Sequence, residues 1–264
     1  VRAGGRAPGV TMRTPGTDLD LAAGFLVSEG VITRGEQLNP VRYCAGATEE
    51  GLNTYNVLDV TLAPGVAPPD ASLERSFYTT SSCGLCGKAS IDAVRTQSAH
   101  DVRDDGLRID AGLLTTFPAK QRAGQAVFDK TGGLHAAALF NGVSGELLVI
   151  REDVGRHNAV DKVVGCALKD DRLPLRGTVL MVSGRASFEL TQKAMMAGIP
   201  LLAAISAPSS LAVELADEVG MTLVGFVRGS SMVMYAGQER VVGPRSVSVA
   251  AAASGVRSSP PPST

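Results

Sequence analysis

Two rhythms of apolar residues run along the chain. Leu58, Val60 and Leu62 alternate with Asp59 and Thr61, the period-two pattern of a half-buried strand over 57–62. Residues 136–140 and 147–150 read as two further strands, and Asn141-Gly142-Val143-Ser144-Gly145 between them is a hairpin signal. Helical spacing appears elsewhere. Thr17-Asp18-Leu19-Asp20 reads as an N-cap with acids in the first turn, followed by a helix with Leu21, Phe25 and Leu26 on one side that stops at Gly30. Pro118 suits a helix start, and that helix would run to about Phe128, ended by Thr131-Gly132-Gly133. Val160, Val163, Val164, Ala167 and Leu168 form a helical stripe over 157–168.

From residue 178 onward the rhythms interleave. Apolar runs at 178–182, 200–205 and 221–227 are separated by helical stretches, one ending at Gly198 and one over 209–219. Strand and helix in alternation predict a parallel sheet covered by helices. Before Met12 the chain is Gly-rich and reads as a loop or frayed strand. Residues 64–69 are a break, and a short helix is expected to begin at 90–94. After Val242 the sequence turns to Ala, Ser, Gly and Pro, so residues 244–264 are expected to be a disordered tail.

Composition narrows the class. The chain has 264 residues with ordinary apolar content, enough for one large domain or two modest ones. A net charge of −1 gives no general attraction to nucleic acid or to anionic membranes, so any anion site must be local. No apolar run approaches the ~20 residues of a spanning helix, and Val1-Arg2-Ala3-Gly4-Gly5-Arg6 lacks the apolar core of a secretory signal. The absence of Trp and the scarcity of Tyr and Phe argue against base-stacking platforms. The expectation is a cytoplasmic protein without nucleic-acid or membrane partners.

Four cysteines, at 44, 83, 86 and 166, are too few for a disulfide scaffold. Cys83-Gly84-Leu85-Cys86 is the sharpest motif, set in a Ser- and Gly-rich stretch with Gly87-Lys88 beside it. A nearby cation or helix N-terminus would raise the thiolate fraction. Three chemistries compete. Structural zinc needs four ligands, and neither a second CxxC nor an HxxxH is present to supply them. A thioredoxin-like redox pair lacks its framing Trp or Pro and a clear βαβ unit. The third is a nucleophilic thiol carrying sulfane sulfur, and residue chemistry alone does not separate it from the second. Two incidental thiols fit poorly with such a loop. Cys44 and Cys166 read as packing residues.

Three strand-to-helix or strand-exit turns supply candidate anion contacts. Arg151-Glu152-Asp153-Val154-Gly155-Arg156-His157-Asn158 is dense in ionisable groups, and Arg156 and His157 could meet a phosphate or purine at a helix start. The bland reading is a solvated turn capped by Asn158. Ser183-Gly184-Arg185-Ala186-Ser187 would aim amides and an arginine fork at an anion, though it is no Walker loop. Phe226-Val227-Arg228-Gly229-Ser230-Ser231 closes the last long strand; its bland reading is an exit turn. His135, after Gly132-Gly133-Leu134, reads more readily as structural.

Together these stretches resemble the formate dehydrogenase accessory sulfurtransferase family, FdhD. The likeness runs from about Met12 to Val242. It is carried by Arg13-Thr14-Pro15-Gly16-Thr17-Asp18, by Gly24-Phe25-Leu26-Val27-Ser28-Glu29-Gly30 and by Ser81-Ser82-Cys83-Gly84-Leu85-Cys86-Gly87-Lys88. Gly132-Gly133-Leu134-His135, the stretch from Glu152 through Lys162 and Ser183-Gly184-Arg185 complete it in the same order.

The resemblance implies a sulfur carrier that receives persulfide sulfur from a cysteine desulfurase. It would pass that sulfur to the Mo-bis(molybdopterin guanine dinucleotide) cofactor, bound as a substrate, for formate dehydrogenase. Cys83 would be the persulfide carrier and Cys86 its assistant. Phe226, Val227, Arg228, Gly229, Ser230 and Ser231 are similar to the family's cofactor-binding stretch, with Arg156, His157, Ser183, Gly184 and Arg185 beside it. The implied fold is α/β, two-lobed: a smaller N-terminal α+β domain over 1–108 and a cytidine deaminase-like three-layer domain over 109–243 that has lost its zinc and holds no metal. A cytoplasmic homodimer is implied. The family has a further strand before the point matching Val1, which implies a late start. The rival readings are a cofactor-binding chaperone needing neither thiol, a thiol redox protein, and a zinc deaminase.

Overall fold

The computed structural model describes residues 1–5, 11–44, 57–69, 98–243 and, as backbone, 248–251. The centre is a sheet built on the apolar runs. Strands β5 (His135–Asn141) and β6 (Leu147–Asp153) form the expected hairpin. Strands β7 (Thr178–Val182), β8 (Leu201–Ala204) and β9 (Thr222–Arg228) are parallel neighbours, joined by helices α6 (Phe188–Met196) and α7 (Ser210–Glu218). Helix α5 (Arg156–Lys169) leads from β6 toward β7. Two strands of this sheet were not apparent in the sequence: β10 (Ser231–Ala236), antiparallel to β9, and β12 (Ser248–Ala251), parallel to β10. The seven-stranded order is β12-β10-β9-β8-β7-β5-β6, and a separate short sheet pairs β4 (Ile109–Asp110) with β11 (Val241–Val242) in parallel.

Side chains alternate between two cores, so the sheet is the middle of three layers. Ala137, Leu139, Leu180, Val182, Leu202 and Ala204 face one core with the apolar stripes of α5, α6 and α7. Ala138, Phe140, Val179, Met181, Leu201 and Ala203 face the other, with Leu114 and Phe117. Leu114 lies on α2 (Ala111–Thr115), and Phe117 opens α3 (Phe117–Ala123) and stacks on Phe140 at 4.1 Å. The helix expected from Pro118 to Phe128 ends earlier, at Ala123, where Gly124 caps it. A separate short helix, α4 (Phe128–Thr131), follows, its first amides held by Glu152 at 2.8 Å. The expected mixed α/β fold is present.

The N-terminal part is α+β. Strands β1 (Arg2–Ala3), β2 (Leu38–Cys44) and β3 (Val57–Leu62) form a three-stranded sheet in the order β1-β3-β2. Leu58 and Val60 point inward, as their alternation predicts. Helix α1 (Asp18–Ser28) is buried on nearly every side, more than a one-sided stripe implies. It lies against α5 and α6, and residues of β1, β3, α1, α5 and the large sheet share one continuous core. Its acids are therefore paired: Asp20 meets Arg151 at 2.9 Å and also Lys169. Ser28 donates to Asp161 at 2.7 Å, and Lys193 meets the same carboxylate at 2.8 Å. Burial pushes the Asp161 carboxyl up, with Lys193 and Ser28 opposing. Thr17 does not cap α1 through its side chain; it sits at φ 54° with its hydroxyl on Gly16 O.

Four residues of the stretch expected as a tail are described. Residues 248–251 are strand rather than disordered, because the open edge of β10 offers unpaired amides and carbonyls that even a Ser- and Ala-rich segment can satisfy through its backbone. Among the described residues, no helix is long and apolar enough to cross a membrane.

Candidate functional site

Register brings three chain segments to one corner of the sheet. His135 on β5 pairs with Asp153 at the end of β6, and Ala137 pairs with Val182 at the end of β7. Ser183 then locks onto β5: its amide donates to Ala136 O at 3.0 Å and its hydroxyl accepts from Ala136 N at 2.9 Å. A Cβ on Gly184 would lie 3.4 Å from His135 Nδ1 and 3.9 Å from Arg156 Cδ, so this turn packs directly on both side chains. His157 Nε2 lies 3.3 Å from Ser187 Oγ at the start of α6 and 3.8 Å from Glu189 Oε2.

The electrostatics of this corner follow from its packing. Burial, then Arg156 and Lys193, push His157 down from 6.5 to about 4, with Glu189 opposing. His157 is therefore neutral at pH 7, and its approach to Glu189 is a contact rather than an ion pair. Burial and Arg156 also push His135 down. For Glu189, burial alone would raise the carboxyl, but the Ser187 hydroxyl, its own amide, His157 and Arg156 together lower it. A fixed positive charge is Arg156, whose Nε is buried and, among the described residues, meets no hydrogen-bond partner. Two neutral imidazoles, a hydroxyl and an incompletely satisfied guanidinium form a site suited to an oxyanion or a polar heterocycle.

The three exit loops of the parallel strands lie side by side along the same edge. Ile205 N donates to Val182 O at 3.2 Å, and Ser209 N donates to Ala186 O at 2.9 Å. Phe226 N donates to Ser206 O at 3.3 Å, which ties the end of β9 to the second loop. A Cβ on Gly225 would meet the Tyr235 ring at 2.9 Å and Pro208 Cδ at 3.0 Å, so only glycine allows this approach. Phe226 has φ 52°, and Arg228 stacks over its ring at 5.3 Å. Gly229-Ser230 is the turn of the β9–β10 hairpin, with Arg228 paired to Ser231 and Gly229 at φ 51°. The segment read as an exit is thus a hairpin tip.

Comparison with known proteins decides the lineage. The sequence matches the FdhD/NarQ family over residues 1–242. The chain belongs to this family. It is 64% identical over 242 residues to the sulfur carrier protein FdhD of Streptomyces avermitilis, covering 91% of this chain and 86% of that protein. The FdhD of Mycolicibacterium paratuberculosis is 60% identical, covering 91% and 88%, and that of Thermoplasma volcanium 42%, covering 90% and 82%. A crystal structure described as a formate dehydrogenase accessory protein from Desulfotalea psychrophila superposes with a TM-score of 0.67 at 23% identity, covering 91% of this chain and 86% of that one. At that identity the likeness is one of fold.

Within this FdhD/NarQ chain the structure sorts the candidate residues. Arg156, His157, Ser183 and Gly184 meet at one corner, joined by His135, Ser187 and Glu189. Arg185 is exposed on the same turn. Arg228, Gly229, Ser230 and Ser231 are exposed at the hairpin, but the Val227 side chain is fully buried in the core, so only its backbone can face a ligand. Cys83 and Cys86 lie outside the described residues, as does the helix expected at 90–94. Cys44 and Cys166 are free and only half-buried; Cys166 takes an Arg151 guanidinium at 3.0 Å. Among the described residues, no group of three His, Cys, Asp or Glu side chains is placed to hold a metal ion.

Much of the Glu152–Lys162 motif turns out to be a clamp. Asp153 is fully buried; it pairs with Lys162 at 2.7 Å and accepts from Thr14 N at 3.0 Å. Asn158 lies inside α5 instead of capping it, donating to Met12 O at 2.7 Å and to Asp153 at 3.0 Å. Lys162 also reaches Thr14 O at 2.9 Å. Two family stretches far apart in sequence thus hold each other. Charge density pointed to this loop, yet only Arg156 and His157 face the site. Ser187 stood in the candidate turn over 183–187 and His135 in the Gly132-Gly133-Leu134-His135 stretch, where it read as structural; Glu189 carried no local signal beyond its residue type.

Proposed function

We propose that this FdhD/NarQ protein is a sulfur carrier: Cys83 accepts sulfane sulfur from a cysteine desulfurase and delivers it to Mo-bis(molybdopterin guanine dinucleotide), which then serves formate dehydrogenase. What carries the reading is the family match, which spans the Cys83-Gly84-Leu85-Cys86 loop and includes relatives named sulfur carriers. In the loading step the Cys83 thiolate attacks the outer sulfur of the donor persulfide. A new sulfur–sulfur bond forms on Cys83, the donor's bond breaks, and its thiolate leaves, with no net redox change. Cys86 assists or resolves.

The sheet edge supplies the acceptor's binding groups in this proposal. Arg156, Arg185 and Arg228 would hold the phosphates of the dinucleotide, since planar guanidinium forks match phosphate oxygens. His157, neutral, would contribute a hydrogen bond rather than charge. Held by these groups, the acceptor would meet the loaded thiol as a bound rather than a free reactant, and that proximity would supply much of the rate. Homodimer formation in the cytoplasm belongs to the same proposal.

The test is mass spectrometry after incubation with a desulfurase and cysteine, together with activation of formate dehydrogenase. The expected result is a reducible gain of about 32 Da on Cys83, one sulfur atom. A Cys83→Ala variant that fully activates formate dehydrogenase would overturn the proposal. A Cys83→Ala/Cys86→Ala protein that still activates its client would point to a chaperone instead.

A further inference from the structure

The candidate corner holds one group that a plain phosphate site would exclude. Glu189 stands in the first turn of α6 with its side chain half exposed and Oε2 3.8 Å from His157 Nε2. Burial works against its charge, but the Ser187 hydroxyl, its own amide, His157 and Arg156 outweigh burial, so it is an anion at pH 7. A first-turn acid on an ordinary helix does no more than complement the helix dipole. Here the carboxylate shares its corner with Arg156, and it repels any phosphate drawn to that guanidinium. It favours a ligand only where it faces hydrogen-bond donors. A short chain of bonds fixes its neighbours. Ser187 gives its one hydroxyl proton to Glu189, so the Ser187 oxygen, 3.3 Å from His157 Nε2, accepts from that nitrogen. The ring proton of neutral His157 therefore sits on Nε2, and Nδ1 is left an acceptor. A carboxylate has about four lone-pair sites, so the hydroxyl and the amide leave room for further donors side by side.

We propose, resting on the acceptor role given above, that Glu189 is a specificity-determining residue: its carboxylate accepts from the adjacent ring N–H and exocyclic amino group of an amino-oxopyrimidine ring. Guanine carries that pair of donors, and so does a pterin. Both rings occur in the proposed acceptor, and the shared edge is what Glu189 reads. Hypoxanthine keeps the ring N–H and lacks the amino group. Adenine presents a bare ring nitrogen in place of the N–H, which would set lone pair against lone pair. Arg156, Arg185 and Arg228 would hold phosphates of any nucleotide alike, so discrimination among bases falls to the one carboxylate in the corner.

Calorimetric titration of the full chain and of its Glu189→Gln variant with GDP, IDP, ADP and dihydroneopterin tests this. The wild-type protein should bind GDP about tenfold more tightly than IDP, and ADP more weakly still. In the variant an amide replaces the carboxylate and turns a donor toward donors. GDP should then weaken by roughly tenfold or more, toward the level of IDP, while ADP binds no worse than before and so reports an intact fold and intact phosphate contacts. Dihydroneopterin has the same edge without phosphates and separates the two sources. Weakening of GDP with unchanged pterin binding assigns the guanine, and the reverse assigns the pterin; either supports the proposal. An unaltered GDP-to-IDP ratio together with unaltered pterin binding would overturn it. Equal weakening of every ligand would overturn it too, since that is the mark of a first-turn acid that merely steadies α6. In both cases a wild-type protein that still prefers GDP leaves the acceptor role standing. A wild-type protein that binds neither GDP nor the pterin sinks both.

Discussion

Gly24 on α1 and Gly165 on α5 meet where the two helices press backbone to backbone, and replacing either by alanine probes how that contact holds the N-terminal part in place. A Cβ on Gly24 would lie 1.8 Å from Asp161 O and 2.8 Å from Gly165 N. A Cβ on Gly165 would lie 1.8 Å from Asp20 O and 2.7 Å from Gly24 N. Carbon and carbonyl oxygen rest at about 3.3 Å, so the helices must part by roughly 1.5 Å. The atoms met are backbone, which cannot swing aside. Parting also stretches the 2.7 Å bond from Ser28 to Asp161 between the same helices. Overpacking costs about 1–3 kcal/mol, occasionally more, while the better helix propensity of alanine returns ~1 kcal/mol. With backbone atoms on both sides the cost lies at the upper end, so the expected net loss is about 2 kcal/mol for Gly24→Ala, a sizeable share of an ordinary domain's stability. Urea unfolding should show a lower midpoint with an unchanged slope. The double variant should lose less than the sum, since one separation relieves both clashes. A change within ~0.5 kcal/mol of wild type, or a gain, would refute the close contact and leave only propensity.

Other perturbations read out other parts of the molecule. Asp153→Asn leaves Lys162 buried without its carboxylate; a loss of about 3–5 kcal/mol and faster proteolysis near Met12 are expected, and an unaltered melting temperature would contradict the clamp. His157 should titrate near 4 by NMR rather than at 6.5. Because the unfolded chain takes up that proton more readily, stability should fall as pH drops from 6.5 toward 4, by about 2 kcal/mol, and His157→Gln should abolish that component; a wild-type titration at 6.5 would show the imidazole to be solvated. Arg156→Lys keeps the charge but not the fork, so guanosine diphosphate should bind roughly tenfold more weakly, and an unchanged Kd would remove Arg156 from the site.

How much of this could be read from the residues alone depends on the range of the forces involved. The β5–β6 hairpin, the inward Leu58 and Val60, and the three parallel strands separated by helices were all legible, because local periodicity and turn chemistry encode them. The Cys83-Gly84-Leu85-Cys86 loop, the family likeness and the two residues Arg156 and His157 were legible as motifs. The role of Asp153 and Asn158 was not, since their partners Met12 and Thr14 lie well over a hundred residues away and leave no local mark. β12 was missed because its Ser- and Ala-rich sequence says little, and its pairing depends on an edge that exists only once β9 and β10 have folded.

The sequence by itself determined the alternation of elements, the thiol pair and the family, each a property of neighbouring residues or of their order. Only the tertiary structure decided that α1 is buried on nearly all sides, that Gly24 and Gly165 bring two backbones into contact, and that His157 is neutral beside an unsatisfied Arg156. Those outcomes depend on desolvation and close packing, which are set by what surrounds a residue in space.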